Sequence, residues 1–310
     1  VTPPVSVSEE IRAAVADGRP VVALESTILT HGLPRPRNLE VAREAEALLR
    51  SRGVVPATIG VVDGRPTVGL TDPELERLST TPDVAKVSIR DLPVALARGG
   101  HGGHGGHGGT TVAATAFLAV RAGIGVFATG GLGGVHRGAA TTFDESADLV
   151  ALSALPVLVV SAGVKSILDV GATLERLETL NVTVLGYGTD AFPGFYVRDS
   201  GFGVPARVET PAEAAAVVRA RDALGLRSAV LLANPVDADA QLDVAEHDRV
   251  LEEALGDAGT EGVTGQATTP FLLERMRRST AGRSLEVNLA VYRGNVALGG
   301  EVAVALTSGG

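Results

Sequence analysis

Cysteine and tryptophan are both absent from this 310-residue sequence, and aromatic residues make up only 3% of it. Without cysteine there are no disulfides, no thiolate nucleophile and no cysteine-ligated zinc. With so few rings the core has to be assembled from Val, Leu, Ile and Ala, a composition suited to helices packed on a parallel sheet. Long apolar runs are missing too. The richest stretch, TVAATAFLAVRAGIGVF, is interrupted by Arg121 and glycines, and the opening VTPPVSVSEEIR lacks a basic segment followed by an apolar one. Neither a membrane span nor a signal peptide is therefore expected. Positive charge is in deficit: the formal net charge of −9 disfavours polynucleotide and anionic membrane as partners. Small molecules remain, with the cytoplasm as the simplest location. Lysine is nearly absent, since of 27 basic side chains only Lys86 and Lys165 are lysines.

What is present is apolar and glycine-rich, 45% hydrophobic with 39 glycines, and the length allows one large domain or two. Short β-branched runs recur at 20–24, 58–62, 84–88, 124–129, 157–161, 182–186 and 229–233, with helical patterns between them. This alternation predicts an α/β protein with a mostly parallel central sheet covered by helices on both faces. Helix starts are marked by Thr71-Asp72-Pro73-Glu74, Thr210-Pro211-Ala212-Glu213 and Thr269-Pro270. The first two place a hydroxyl cap three residues before a glutamate, and each has proline in the first turn.

One segment, GGHGGHGGHGG at 99–109, is of low complexity. Its three histidines invite a metal-binding reading, which would make the chain a metal- or nucleotide-binding protein. A flexible tether, however, loses much entropy on ordering and offers no supporting shell, so an expanded, mobile surface loop is the expectation.

Three places carry candidate chemistry. Lys165 follows the strand-like VLVVS run in an AGVKS context, and Lys86 lies within VAKVS. A lysine there either snorkels to water or, unlike arginine, loses its proton and attacks a carbonyl carbon. Glu25 ends the apolar run VVAL and is followed by Ser26, Thr27, Thr30 and His31. It is either a proton donor with a raised pKa or a structural carboxylate satisfied by amides. In ATGGLGGVHRGAATTFDESADL, residues 128–149, a glycine loop suited to phosphate precedes Asp144, Glu145 and Asp148. Their hard oxygens suit Mg²⁺ or Mn²⁺, or else cap a helix. A dinucleotide site is not expected: Gly123 to Ala128 matches G-x-G-x-x-A but enters a strand instead of leaving one.

ALESTILTHGLPRPRN, PATIGVVDGRPTVGL, VAKVSIRDLP, GTTVAAT, GVFATGGLGGVHRGAATTFDESADL, SAGVKSILDVGATLERLETL, LLANPV and TPFLLERM together resemble the pseudouridine-5'-phosphate glycosidase family, also called indigoidine synthase A-like. The likeness spans nearly the whole chain. It implies a single domain over 1–310, with the Gly/His-rich segment at 99–109 as a loop insertion. It implies a lyase that reversibly splits the C–C glycosidic bond of pseudouridine 5'-phosphate with water, giving ribose 5-phosphate and uracil. It further implies a homotrimer with Mn²⁺, one ion per subunit.

By motif, the resemblance makes Glu25 the proton donor, Lys165 the covalent nucleophile and Asp144 the metal ligand. Lys86, Val112, Ser146, Ala147 and Asp148 would contact substrate, and Thr129, His136 and Asn288 would lie on the phosphate side. The C-terminal LAVYRGNVALGGEVAVAL matches the family only loosely.

Such chemistry needs an amine, because uracil departs through carbon. If Glu25 protonates the ring oxygen and the ring opens, Lys165 bonds C1' in an iminium-type adduct and C–C cleavage becomes feasible. An ordinary lysine is a free amine to only about one part in two thousand at pH 7, so shelter by the apolar strand and a neighbouring Lys86 are expected to depress its pKa. The alternative enzyme is a Schiff-base aldolase or lyase acting on another phosphorylated sugar or C-nucleotide.

Overall fold

The computed structural model describes residues 4–101, 106–263 and 268–308. Its strands are β1 (Ser6–Val7), β2 (Val21–Leu24), β3 (Val55–Val62), β4 (Arg65–Val68), β5 (Ala85–Val87), β6 (Gly108–Thr110), β7 (Val126–Ala128), β8 (Leu158–Ser161), β9 (Thr183–Tyr187), β10 (Ala206–Val208) and β11 (Val230–Ala233). Among the described residues they join in one sheet, ordered β1-β4-β3-β2-β7-β8-β11-β9-β10, with β6 paired to both β3 and β5. From β3 to β10 along that path every pairing is parallel. Only β4 and β6 meet β3 antiparallel.

All seven runs picked out by sequence contain a strand. The unpredicted ones, β1, β4, β6 and β10, have two to four residues each, too few to show a periodicity.

The central strands β2, β7 and β11 are apolar at every position, and β8 at all but Ser161, because both faces are buried. Ala23, Phe127, Val159 and Leu231 enter one layer, which also takes Ala114 and Leu118 of the helix Val112–Arg121. Their neighbours Val22, Leu24, Ala128, Val160 and Leu232 enter the other, against Val41 and Leu49 of the helix Arg37–Ser51 and Tyr292 and Val296 of the helix Arg283–Thr307. That last helix lies close on the sheet. A Cβ on Gly299 would stand 3.1 Å from Ala128, so glycine is what lets the backbone approach β7.

The Gly/His-rich segment departs from expectation at its end. Gly108 and Gly109 form β6 instead of a mobile loop, and a Cβ there would stand 2.4 Å from Val87 Cγ2 or 2.1 Å from Thr30 Oγ1. Glycine is required at this point for close packing. Gly106 accepts from the Gly64 amide at 2.7 Å, which ties the segment's end to the β3–β4 hairpin. His104, with its neighbours 102, 103 and 105, lies outside the described residues.

Candidate active site

Parallel strands of an open α/β sheet collect ligands at their carboxyl ends, and here three such ends carry the residues singled out. β2 delivers Glu25, β7 delivers Thr129 and the glycines after it, and β8 leads into the turn that bears Lys165. Lys86 is the middle residue of β5, opposite Gly109 of β6. Glu25, Lys86, Lys165 and Asn288 line one pocket with Gly130, Gly131, Thr27, His31 and Phe195. Residues more than 250 positions apart are thus brought to one cavity.

Glu25 is buried, at 6% exposure. Its two oxygens accept from two hydroxyls, Thr27 Oγ1 at Oε2 and Thr129 Oγ1 at Oε1. Burial raises its pKa above the usual carboxylate range, opposed by the Lys165 charge and the two hydroxyls and assisted by Asp148. The Lys86 ammonium is pushed below its ordinary value by burial and then by Lys165, with Asp148 and Glu25 opposing. Lys86 therefore feels both Lys165 and Glu25. Lys165 itself is half-buried between buried Val164 and Ser166. As the sequence placed it, Lys165 follows the strand: β8 ends at Ser161, and the turn after it leaves the Lys165 side chain facing the pocket.

A second group of expected residues gathers around the Asp148 carboxylate. The Asp148 carboxylate accepts from the Ala113 and Gly133 amides, each at 2.9 Å. It braces the glycine loop against the start of the helix Val112–Arg121. Ser146 caps the helix Ala147–Leu152 by accepting from the Asp148 amide at 3.2 Å. Val112 is buried, Ala147 exposed and His136 half-buried. Thr129, placed on the phosphate side by sequence, is fully buried with its hydroxyl spent on Glu25. Among the described residues none of Val112, Thr129, His136, Asp144, Ser146, Ala147 and Asp148 lines the pocket with Lys165.

Asp144 has a 41% exposed side chain, with Oδ2 lying 3.9 Å from His136 Nδ1. Its neighbour Glu145 is already bonded to Arg176 at 2.9 Å. Among the described residues no three His, Asp or Glu side chains gather as a metal cage. One hard, water-facing carboxylate beside an imidazole fits a divalent ion that keeps most of its waters, the habit of Mg²⁺-like cations.

Sequence reasoning left Thr27 and Phe195 without a role. Thr27 lies two residues beyond Glu25, where the chain has left β2 and turned into the αR region ahead of the helical turn Ile28–Gly32, and that turn brings its hydroxyl back to Glu25. Phe195 gave no signal in the sequence. Its backbone is left-handed, with φ of 65°, and its ring packs so closely on the glycine loop that a Cβ on Gly131 would come within 2.7 Å of it.

Residues 10–305 match the family described as indigoidine synthase A like protein. The chain is 63% identical over 300 residues to the pseudouridine-5'-phosphate glycosidase of Saccharopolyspora erythraea, covering 97% of each. It is 54% identical to that of Symbiobacterium thermophilum, covering 98% of each. Among solved structures, the prealnumycin C-glycosynthase AlnA, in complex with ribulose 5-phosphate, aligns with a TM-score of 0.89 at 39% identity, over 98% of this chain and 97% of that one. An indigoidine synthase A-like protein from Thermotoga maritima aligns with a TM-score of 0.87 at 37% identity, over 99% of this chain and 98% of its own. The chain belongs to the indigoidine synthase A-like family of pseudouridine-5'-phosphate glycosidases.

Proposed function

We propose that this protein cleaves the C–C glycosidic bond of pseudouridine 5'-phosphate through a covalent adduct between Lys165 and C1' of the ribose. The observation that carries the mechanism is the convergence of Glu25 and the chain's only two lysines, Lys86 and Lys165, in one pocket. A buried carboxyl that holds its proton is suited to donating it to a ring oxygen, and an amine beside it is suited to bonding the carbon released.

Glu25 gives its proton to the ribose ring oxygen while the Lys165 amine bonds C1', and the C1'–O bond breaks to open the ring. The nitrogen then loses a proton. Its lone pair forms a C=N bond as the C1'–C5 bond breaks, and the electron pair passes into the uracil ring, where conjugation with the C4 carbonyl accepts it. Protonation at C5 releases uracil. Water adds to the imine, freeing ribose 5-phosphate and restoring Lys165. Lys86 offers an ammonium donor for the phosphorylated sugar, and the Gly130–Gly131 backbone lets the ligand approach closely.

Mn²⁺ would be held by Asp144 with His136 beside it, and when bound it supplies a positive charge that orders water and phosphate oxygens. Val112, Ser146, Ala147 and Asp148 form the substrate-side wall in this reading, with His136 and Asn288 as polar contacts. A cytoplasmic homotrimer belongs to the same reading, and light scattering of the purified protein tests its assembly.

The deciding experiment incubates the protein with ribose 5-phosphate and borohydride, digests it and maps the labelled peptide. Label on Lys165 alone is expected. Label on Lys86, or none while uracil is still released from pseudouridine 5'-phosphate, would overturn the mechanism.

A further inference from the structure

The helix Arg283–Thr307 carries two asparagines on a face otherwise committed to the core, Asn288 and Asn295, seven residues apart and so on one side of the helix. Asn288 faces the pocket. Asn295 is fully buried, and burial of an amide is costly unless every polar atom finds a partner. Its Nδ2 donates to the carbonyls of two consecutive residues, Thr129 at 2.7 Å and Gly130 at 3.1 Å. Its Oδ1 accepts from Nδ2 of Asn234, the residue just beyond β11, at 3.0 Å. Carbonyls only accept, so this orientation of the amide is the one the surroundings allow.

The result is a clamp on the exit of β7. The Thr129 amide donates to Val160 at 3.0 Å, its carbonyl is held by Asn295, and its hydroxyl is directed at Glu25. One helical turn along, Gly299 rests on Ala128, so consecutive turns of one helix fix residues 128 to 130.

We infer that Asn295, supported by Asn234, is a positioning residue for catalysis: it fixes Thr129 so that its hydroxyl holds the Glu25 carboxyl in line with the ring oxygen. The assignment rests on Glu25 being the proton donor of the proposed mechanism. Asn295 touches no substrate and acts through Thr129.

Kinetics of Asn295→Ala, Asn295→Asp, Thr129→Val and the double variant Thr129→Val/Asn295→Ala test this. Loss through positioning is expected to lower kcat by about tenfold or more for either single change with KM nearly unchanged, and the double variant should be no slower than Thr129→Val. Additive losses in kcat, or a normal kcat in Asn295→Ala, would overturn the inference. Should Asn295→Ala fail to fold, Asn234→Ala reads the same coupling, because it removes only the outer hydrogen bond, and it is expected to show a smaller loss that vanishes on a Thr129→Val background. Glu25→Gln and Lys165→Ala run alongside: if they remain active the mechanism itself fails, whereas if they are dead and Asn295 is not coupled to Thr129, only the present inference fails.

Discussion

Thr129 donates its hydroxyl to the Glu25 carboxylate across 104 residues of sequence, and this bond joins the ends of two adjacent parallel strands, β2 and β7. It shows how the sheet builds the acid. Burial raises the pKa of Glu25, while the hydroxyl fixes how its carboxyl group is oriented.

The pH dependence follows from the raised pKa of Glu25. A proton donor works while protonated, so kcat should fall as pH rises through that pKa, and Glu25→Gln should be slower by about a hundredfold or more. Lys165 and Asp148 act on Glu25, and its charge is felt by Lys86 and Tyr292. Thr129→Val removes a bond that favours the charged form, so the alkaline limb of its rate profile should move upward. A downward movement would contradict the donor role.

Lys165→Ala should abolish turnover. Lys165→Arg should do so as well, because the guanidinium keeps its charge and cannot bond C1'. Uracil release, followed by ultraviolet absorbance, measures both. Substantial activity in Lys165→Arg would show that only the charge at 165 matters.

Asp144→Ala should weaken Mn²⁺ binding by at least tenfold, as read by electron paramagnetic resonance titration, with the thermal midpoint little changed because this side chain is water-facing. Unaltered Mn²⁺ affinity would place the ion elsewhere.

Gly109→Ala should destabilise the fold by about 1–3 kcal/mol, the usual cost of overpacking, because the new methyl would meet Thr30. Since Gly109 is the register partner of Lys86, substrate KM should rise too. Thermal melts and steady-state kinetics check the two effects. A deletion within the Gly/His-rich segment that leaves Gly108 and Gly109 in place should keep glycosidase activity, while one that removes them takes β6 with it.

The sequence by itself determined the alternation of strands and helices, because strands buried on both faces have to be apolar throughout and those runs are visible without partners. It also singled out Glu25, Lys86 and Lys165, since a charge at the end of an apolar run and a lysine in an arginine-rich chain are local anomalies. Only the tertiary structure decided what surrounds them. Thr27 and Asn295 are ordinary polar residues, and Thr129 only an expected phosphate-side contact, until sheet order places β2 beside β7 and lays the last helix across both. Phe195 and Gly109 acquired their roles in the same way, from a left-handed turn and a contact with Thr30. Composition and periodicity act along the chain, whereas a hydrogen bond or a close approach depends on which distant backbone arrives opposite, and only packing of the sheet and helices sets that.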